Sequence, residues 1–416
     1  MTEKHILVTG ASGYIAGLLI PRLLEDGYRV RCMVRNYEKI ANRPWIGSVS
    51  VMEADVTDPA SMIPALHEVD AAYYLVHNMS SGRHYQKAEL NGARNFAQAA
   101  ADAKIEQIIY LGGLADPKEQ IAPHMRSRIE TGDTLRKFPV PVTEFRAGVI
   151  AGPGSISFEM IRFIAEQFPL ILGPTWLKNH SQPISAGNVI DYLIAALETP
   201  ASRGRILEIG GSEIYLYIDL MRIYARIRGL KRAALLIPRL PTGVMAYFVD
   251  RLTPVPAAIA YPLINGLQSD SLVKDMTARE LFPNIQLTNF PDAVRESLDQ
   301  LHPDYLDQVW VSGTQDRRLK HEGFLIETYH ANPSPNMESL LKFTEDTMTG
   351  YCIEQERESC LLLKKENNQW LLWEILPDGK TFRQTAYYAP KDMLGFLRSQ
   401  RWRVQTRKIF RAICLK

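Results

Sequence analysis

Residues 7–19, LVTGASGYIAGLL, constrain this chain more than any other stretch. His5-Ile6-Leu7-Val8 is a short apolar run that suits a buried parallel strand, and Ile15, Leu18, Leu19, Leu23 and Leu24 recur at helical spacing. A strand therefore passes to a helix through glycines. Gly10 allows a tight turn, Gly13 lets backbone approach a pyrophosphate, and small Ala16 permits close helix-on-strand packing. The N–H groups at the helix start, with Thr9, Ser12, Tyr14 and Ile15 around them, face the place of the phosphates. Such glycines also serve plain turns, but the position between strand and helix is the context that dinucleotide binding requires.

The pattern continues as a doubly wound α/β unit. Residues 28–36 read as a second strand, 49–58 as a third, 71–79 as a fourth and 105–114 as a fifth, with a helix over about 84–103. An NAD-preferring fold places an acid after the second strand to bind the ribose 2′-hydroxyl, whereas this chain has Val34-Arg35-Asn36. A guanidinium at Arg35 can grip a 2′-phosphate, which favours NADP(H) over NAD(H); the competing reading is that Arg35 merely begins a solvated loop. Arg31 is a weaker candidate on the same strand. Asp55-Val56 would sit beside the adenine, although Asp55 could instead cap the helix near 58–66. Leu75, Val76 and His77 end the fourth strand and are placed to flank the ribose and nicotinamide.

With 416 residues, 46% of them hydrophobic, the chain is too long for one average domain. We divide it into a Rossmann-type dinucleotide-binding domain (1–150), a substrate-side extension (151–305) and a small α+β domain (306–416). A net charge of +2 gives no global attraction to nucleic acid. Cys32, Cys352, Cys360 and Cys414 lack CxxC spacing, so neither zinc nor a disulfide framework is expected and a reducing compartment fits. No signal peptide fits ahead of a strand beginning at His5, so the expected location is cytoplasmic. The apolar stretch 241–267 is broken by Asp250, Arg251 and prolines, and reads as packed helices or a pocket wall, with membrane-surface contact the lesser reading.

VTGASGYIAG, CMVRN, EADVTD, YYLVHNM, IIYLGGL, PHMRSRIETGD and VTEFRAGVIAGPGS together resemble an atypical short-chain dehydrogenase/reductase of the NmrA-like group, over roughly residues 1–300. The resemblance implies a Rossmann fold and a proton-relaying tyrosine, followed four residues later by a lysine. It also implies a serine after the fifth strand. Here His124 falls at the tyrosine, Arg128 at the lysine and Gly112-Gly113 at the serine. Arg128 keeps a charge for the ribose. His124 is a substitute proton donor, with an ordinary pKa near 6.5, or else a solvent-facing residue at a helix start. A glycine offers no hydroxyl to polarise a carbonyl. Tyr110 nearby is placed within the sheet.

Beyond residue 146 the chain reads as a sixth strand, a glycine-rich loop and an amphipathic helix, with Arg146 bracing the loop or steering a substrate. A short strand and helix follow over 182–198. Another strand comes next, then a helix starting at Ser212 or Asp219 with Ile218, Met221, Ile223, Tyr224 and Ile227 as its apolar stripe. Residues 302–325 carry turn signals and read as a linker. The last hundred residues resemble a helix-grip, START-like domain shortened between about 336 and 356, with a hairpin around Asp378-Gly379. The terminal RSQRWRVQTRKIFRAICLK interleaves Trp402, Val404, Ile409, Phe410 and Ile413 with cations; a helix packing its apolar side is the first reading, an anionic membrane or nucleic-acid patch the second. Two functions remain open: an NADP(H)-dependent oxidoreductase acting on a small apolar carbonyl or quinone-like substrate, or an NADP(H)-sensing regulatory or assembly protein without turnover.

Overall fold

The computed structural model describes residues 4–41, 43–77, 85–116, 118, 121–238, 240–252, 257–300, 302–303, 318–321, 324–332, 334–366, 368–376, 378–390 and 393–414. Its first sheet is built from β1 (His5–Thr9), β2 (Arg29–Val34), β3 (Ser50–Glu53), β4 (Ala71–Tyr74), β5 (Gln107–Gly113), β6 (Val142–Ala147) and β7 (Ile206–Ile209). The seven lie in the order β7-β6-β5-β4-β1-β2-β3, and every neighbouring pair is parallel. All residues of β1, β4, β5 and β6 are buried, because a parallel sheet covered by helices on both faces hides both sides of its central strands. This explains the near-continuous apolar runs of the sequence.

Helices α1 (Tyr14–Glu25), α2 (Pro59–Leu66), α3 (Tyr85–Asp102), α4 (Pro123–Leu135), α5 (Ile156–Gln167) and α6 (Ala186–Glu198) follow in chain order. One core joins Leu19, Ile20 and Leu23 of α1 with Val189 and Leu193 of α6 against one face of the sheet. The opposite core joins Met62 and Leu66 of α2, Phe96 and Ala100 of α3 and Leu135 of α4. A third cluster unites Phe158 and Ile161 of α5 with Ile218, Met221 and Tyr224 of α7 (Tyr217–Ile227). Two further helices, α8 (Thr242–Leu252) and α9 (Ala257–Gly266), come from the stretch read as packed helices or a pocket wall.

A second, antiparallel sheet contains β8 (Arg318–His321), β9 (Phe324–Ala331), β10 (Tyr351–Arg357), β11 (Cys360–Lys365), β12 (Gln369–Ile375) and β13 (Phe382–Tyr388), in the order β8-β9-β13-β12-β11-β10. The hairpin between β12 and β13 turns at Asp378, whose carboxylate accepts from the Lys380 and Thr381 N–H groups, with Gly379 at φ +63°. The long terminal helix, Met393–Cys414, packs Trp402, Ile409, Phe410 and Ile413 into this unit's core. Among the described residues no helix is long and apolar enough to cross a membrane.

Several local expectations need correction. Arg31 does not reach the nucleotide side: it is buried, and its guanidinium donates to the carbonyls of Pro64, Ala65 and His67 at the end of α2. Asp58, not Asp55, caps α2, accepting from Ala60 N at 3.1 Å. Helix α7 begins at Tyr217 rather than at Ser212 or Asp219, because Tyr215–Leu216 first pairs with His180–Ser181. Arg146 braces rather than steers, donating to the buried Glu144 at 2.7 Å. Part of the expected linker is strand (β8 and the start of β9), while 304–317 lies outside the described residues, as do Asn78 and Met79 of the fourth strand. Val404 is exposed rather than packed.

Candidate functional site

The chain leaves β1 for β2 on one side of the sheet and crosses to β4 on the other, so a crevice opens between β1 and β4 beyond their carboxyl ends. Gly10 turns the chain there at φ +64°. A Cβ on it would lie 2.7 Å from the Leu75 carbonyl oxygen, so the glycine is what lets the turn sit against the end of β4. Gly13 is the N-cap of α1 and brings no capping side chain, and no acid occupies the first turn. The positive end of that helix therefore faces the crevice without a protein anion.

A cleft of about 340 Å³ occupies the crevice. Gly10, Ser12, Gly13, Tyr14 and Ile15 of the turn line one part; Arg35, Asp55 and Val56 line the part beyond β2 and β3; Leu75, Val76 and His77 line the part beyond β4. Besides the weaker candidate Arg31, the one expected nucleotide residue absent from its wall is Thr9. Its hydroxyl is buried, donating to Tyr73 O at 3.0 Å and accepting from Leu75 N at 3.1 Å, so Thr9 staples β1 to β4 beneath the crevice. Arg35 is exposed and has no ion-pair partner among the described residues, while Asn36 caps the following turn through Glu38 N. Asp55 accepts from both the N–H and the hydroxyl of Thr57.

A second cavity, of about 260 Å³, adjoins the first, and the two share Tyr14, Ile15, His77, Leu111, Arg128 and Ile156. Its walls are largely apolar: Leu114 after β5, Met125 of α4, Met160 and Ile161 of α5, Leu220 and Met221 of α7, Leu263 of α9. In the sequence Met221 reads as part of a core stripe and Leu263 as packed helix or pocket wall, and no local spacing marks the others as lining.

His124 sits in the first turn of α4 and lines this cavity. It is 4% exposed rather than solvent-facing, because α9 crosses it: a Cβ on Gly266 would meet its Cε1 at 2.7 Å. Burial, followed by repulsion from Arg128, lowers its pKa to about 4, and its Nδ1 has no hydrogen-bond partner among the described residues. The imidazole is therefore neutral near pH 7. His77 is likewise held well below its ordinary pKa, by burial and then Arg128, so its Nε2 accepts from Arg128 Nη1 at 3.3 Å. Tyr110 stays within the sheet, donating to the Arg128 carbonyl at 3.0 Å, and burial raises its pKa. Where a serine hydroxyl would stand, a Cβ on Gly113 would come within 2.6 Å of Met125 and 3.1 Å of the Arg128 arm. The glycine thus makes room for Met125 first and for the arginine beside it. The substituted positions and His77 together present one cation, two neutral imidazoles and no hydroxyl, while Tyr14, Ser155, Tyr217, Asp270 and Ser271 line other parts of the cavity.

Residues 2–167 match the NmrA-like family. A photosystem II assembly factor, Ycf39, of Cyanophora paradoxa is 25% identical over 244 residues, which cover 56% of this chain and 71% of that protein. Among solved structures, the triphenylmethane reductase of Citrobacter sp. complexed with NADP(H) is similar with a TM-score of 0.56 at 19% identity, covering 70% of this chain and 99% of that one. The NADPH-dependent quinone oxidoreductase of Escherichia coli complexed with NADPH gives the same TM-score and coverages at 16% identity. Residues 2–167 are thus NmrA-like in sequence, within a fold that these reductases share.

Proposed function

We propose that the chain binds NADP(H) in the β1–β4 crevice and reduces a small, apolar, quinone-type acceptor in the adjoining cavity. The observation that carries this reading is the shared wall: a ligand in the apolar cavity abuts the His77 and Leu111 end of the nucleotide cleft, away from Arg35. The uncapped helix start suits the pyrophosphate, and Arg35, exposed at the end of β2 where an NAD-preferring fold carries an acid, suits a 2′-phosphate. Bound there, a reduced nicotinamide would supply a hydride. Arg128 lines both spaces and holds its charge beside the reacting end.

The choice of acceptor follows from the proton. A ketone reduced to an alkoxide must be protonated as it forms, and neither Gly113 nor neutral His124 offers a ready acid. A quinone reduced by hydride becomes a phenolate-type anion, whose pKa resembles that of tyrosine, about 10. Arg128 can stabilise that oxygen until water protonates it. The C-terminal unit we read as helix-grip, supported by the long terminal helix packed against its antiparallel sheet.

The test is NADPH oxidation over matched panels of quinones and aliphatic ketones. Turnover of quinones alone supports the reading, and turnover of ketones overturns the proton argument. Binding without consumption would favour the second reading, a nucleotide-sensing assembly protein, which the absent hydroxyls and the similarity to an assembly factor support.

A further inference from the structure

The terminal helix has a second face that packing does not explain. Trp402, Thr406 and Ile413 point into the unit's core. On the opposite side, Leu394, Leu397, Arg401, Val404, Lys408 and Arg411 follow one another at intervals of three and four residues, and all six are exposed. That spacing is one continuous stripe along a helix. Its three apolar members are 58%, 62% and 57% exposed, so they contribute nothing to the fold in proportion to their hydrophobic cost. The helix contains no aspartate or glutamate, whereas Arg398 and Arg407 add charge beside the stripe.

The composition of the stripe selects among occupants. A second copy of the helix, pairing stripe to stripe, would bring Arg401 and Lys408 against their own kind, which the repulsion of like charges opposes. Nucleic acid would use the cations but not the leucines, and no aromatic ring stands in the stripe for a base to stack on. An anionic bilayer surface uses both kinds of residue: the leucines and the valine enter the headgroup layer while the arginines and lysine meet lipid phosphates.

We propose that the exposed stripe of the terminal helix docks the protein on anionic lipid surfaces. The inference does not depend on the nucleotide site, and its test is independent of turnover. The full chain is floated with vesicles of phosphatidylcholine alone and with vesicles that also contain phosphatidylglycerol. Binding is expected only to the second kind and weakens as salt rises. Replacing two cations, Arg401→Gln with Lys408→Gln, should weaken it about thirtyfold. Leu394→Ser with Leu397→Ser should also weaken it at least tenfold, at unchanged charge. All four positions are exposed, so circular dichroism and thermal midpoints should match the parent chain. Equal binding to both vesicle types, or to neither, overturns the proposal. So does a charge variant that loses binding while the leucine variant keeps it, since that pattern belongs to a polyanion such as nucleic acid.

Discussion

A neutral histidine buried beside a fixed cation makes the site sensitive to acid. In the unfolded chain His124 titrates near 6.5, and in the folded one at about 4. Below 6.5 the unfolded state binds a proton that the folded state refuses, so stability is complete above that value and falls as pH drops towards 4. Between about pH 7 and about pH 5 the loss from this residue is about 2 kcal/mol. His124→Gln should flatten the slope of unfolding free energy against pH by that amount in urea titrations; an unchanged slope would mean that the imidazole is not buried neutral. Arg35 makes the complementary case at the surface. Arg35→Ala should weaken NADPH about tenfold or more in calorimetry while leaving NADH within about twofold, because only the 2′-phosphate is lost as a partner. At this scale the glycine turn and its surroundings could be read directly, since Gly10, Gly13 and their neighbours are contiguous. The burial of His124 could not, because Gly266, which covers it, is far away in the chain. Arg31 misled for a similar reason: the carbonyls that hold it belong to the end of α2.

Elements were legible wherever periodicity and burial agree. The first five strands of the first sheet and helices α1, α3 and α6 follow from apolar runs and helical spacing, with ends displaced by a few residues, whereas the sixth strand, read beyond residue 146, runs Val142–Ala147. The order of the strands across the sheet is not written in any local stretch, and α7 was misplaced because a cap-like aspartate cannot reveal a prior strand pairing. The joint between β1 and β4 shows what the pattern hides. A threonine that ends a strand beside a glycine turn looks like a phosphate ligand, yet Thr9 spends its hydroxyl on Tyr73 and Leu75. Thr9→Val keeps the shape and removes both bonds, leaving the Leu75 N–H buried without its acceptor, at a cost of about 1–3 kcal/mol. Denaturant midpoints should register that loss. Nucleotide affinity should fall less than for changes in the cleft wall; a variant with wild-type stability and lost binding would make Thr9 a direct ligand instead.

The whole molecule extends beyond its neighbours in fold. They are spanned almost completely, 99% of each, while only 70% of this chain is used, so the shared fold stands in those proteins without a counterpart of the remainder. The remainder has a core of its own: Leu361, Leu363, Leu371, Trp373 and Phe382 of the antiparallel sheet close on Phe343 and on Trp402 of the terminal helix. The cavities that line up beyond β1 and β4 draw all their walls from residues before 272. Two cores with separate residue sets should melt as two units. Scanning calorimetry of the full chain should therefore resolve two transitions, and only the one belonging to the first unit should move upward when NADPH is added. A chain ended at Pro303 should retain that transition and its nucleotide response, with affinity within about twofold of the parent. Should the shortened chain fail to fold, or should NADPH raise both transitions together, the two units would be energetically one, and the terminal sheet would belong to the nucleotide site's stability after all.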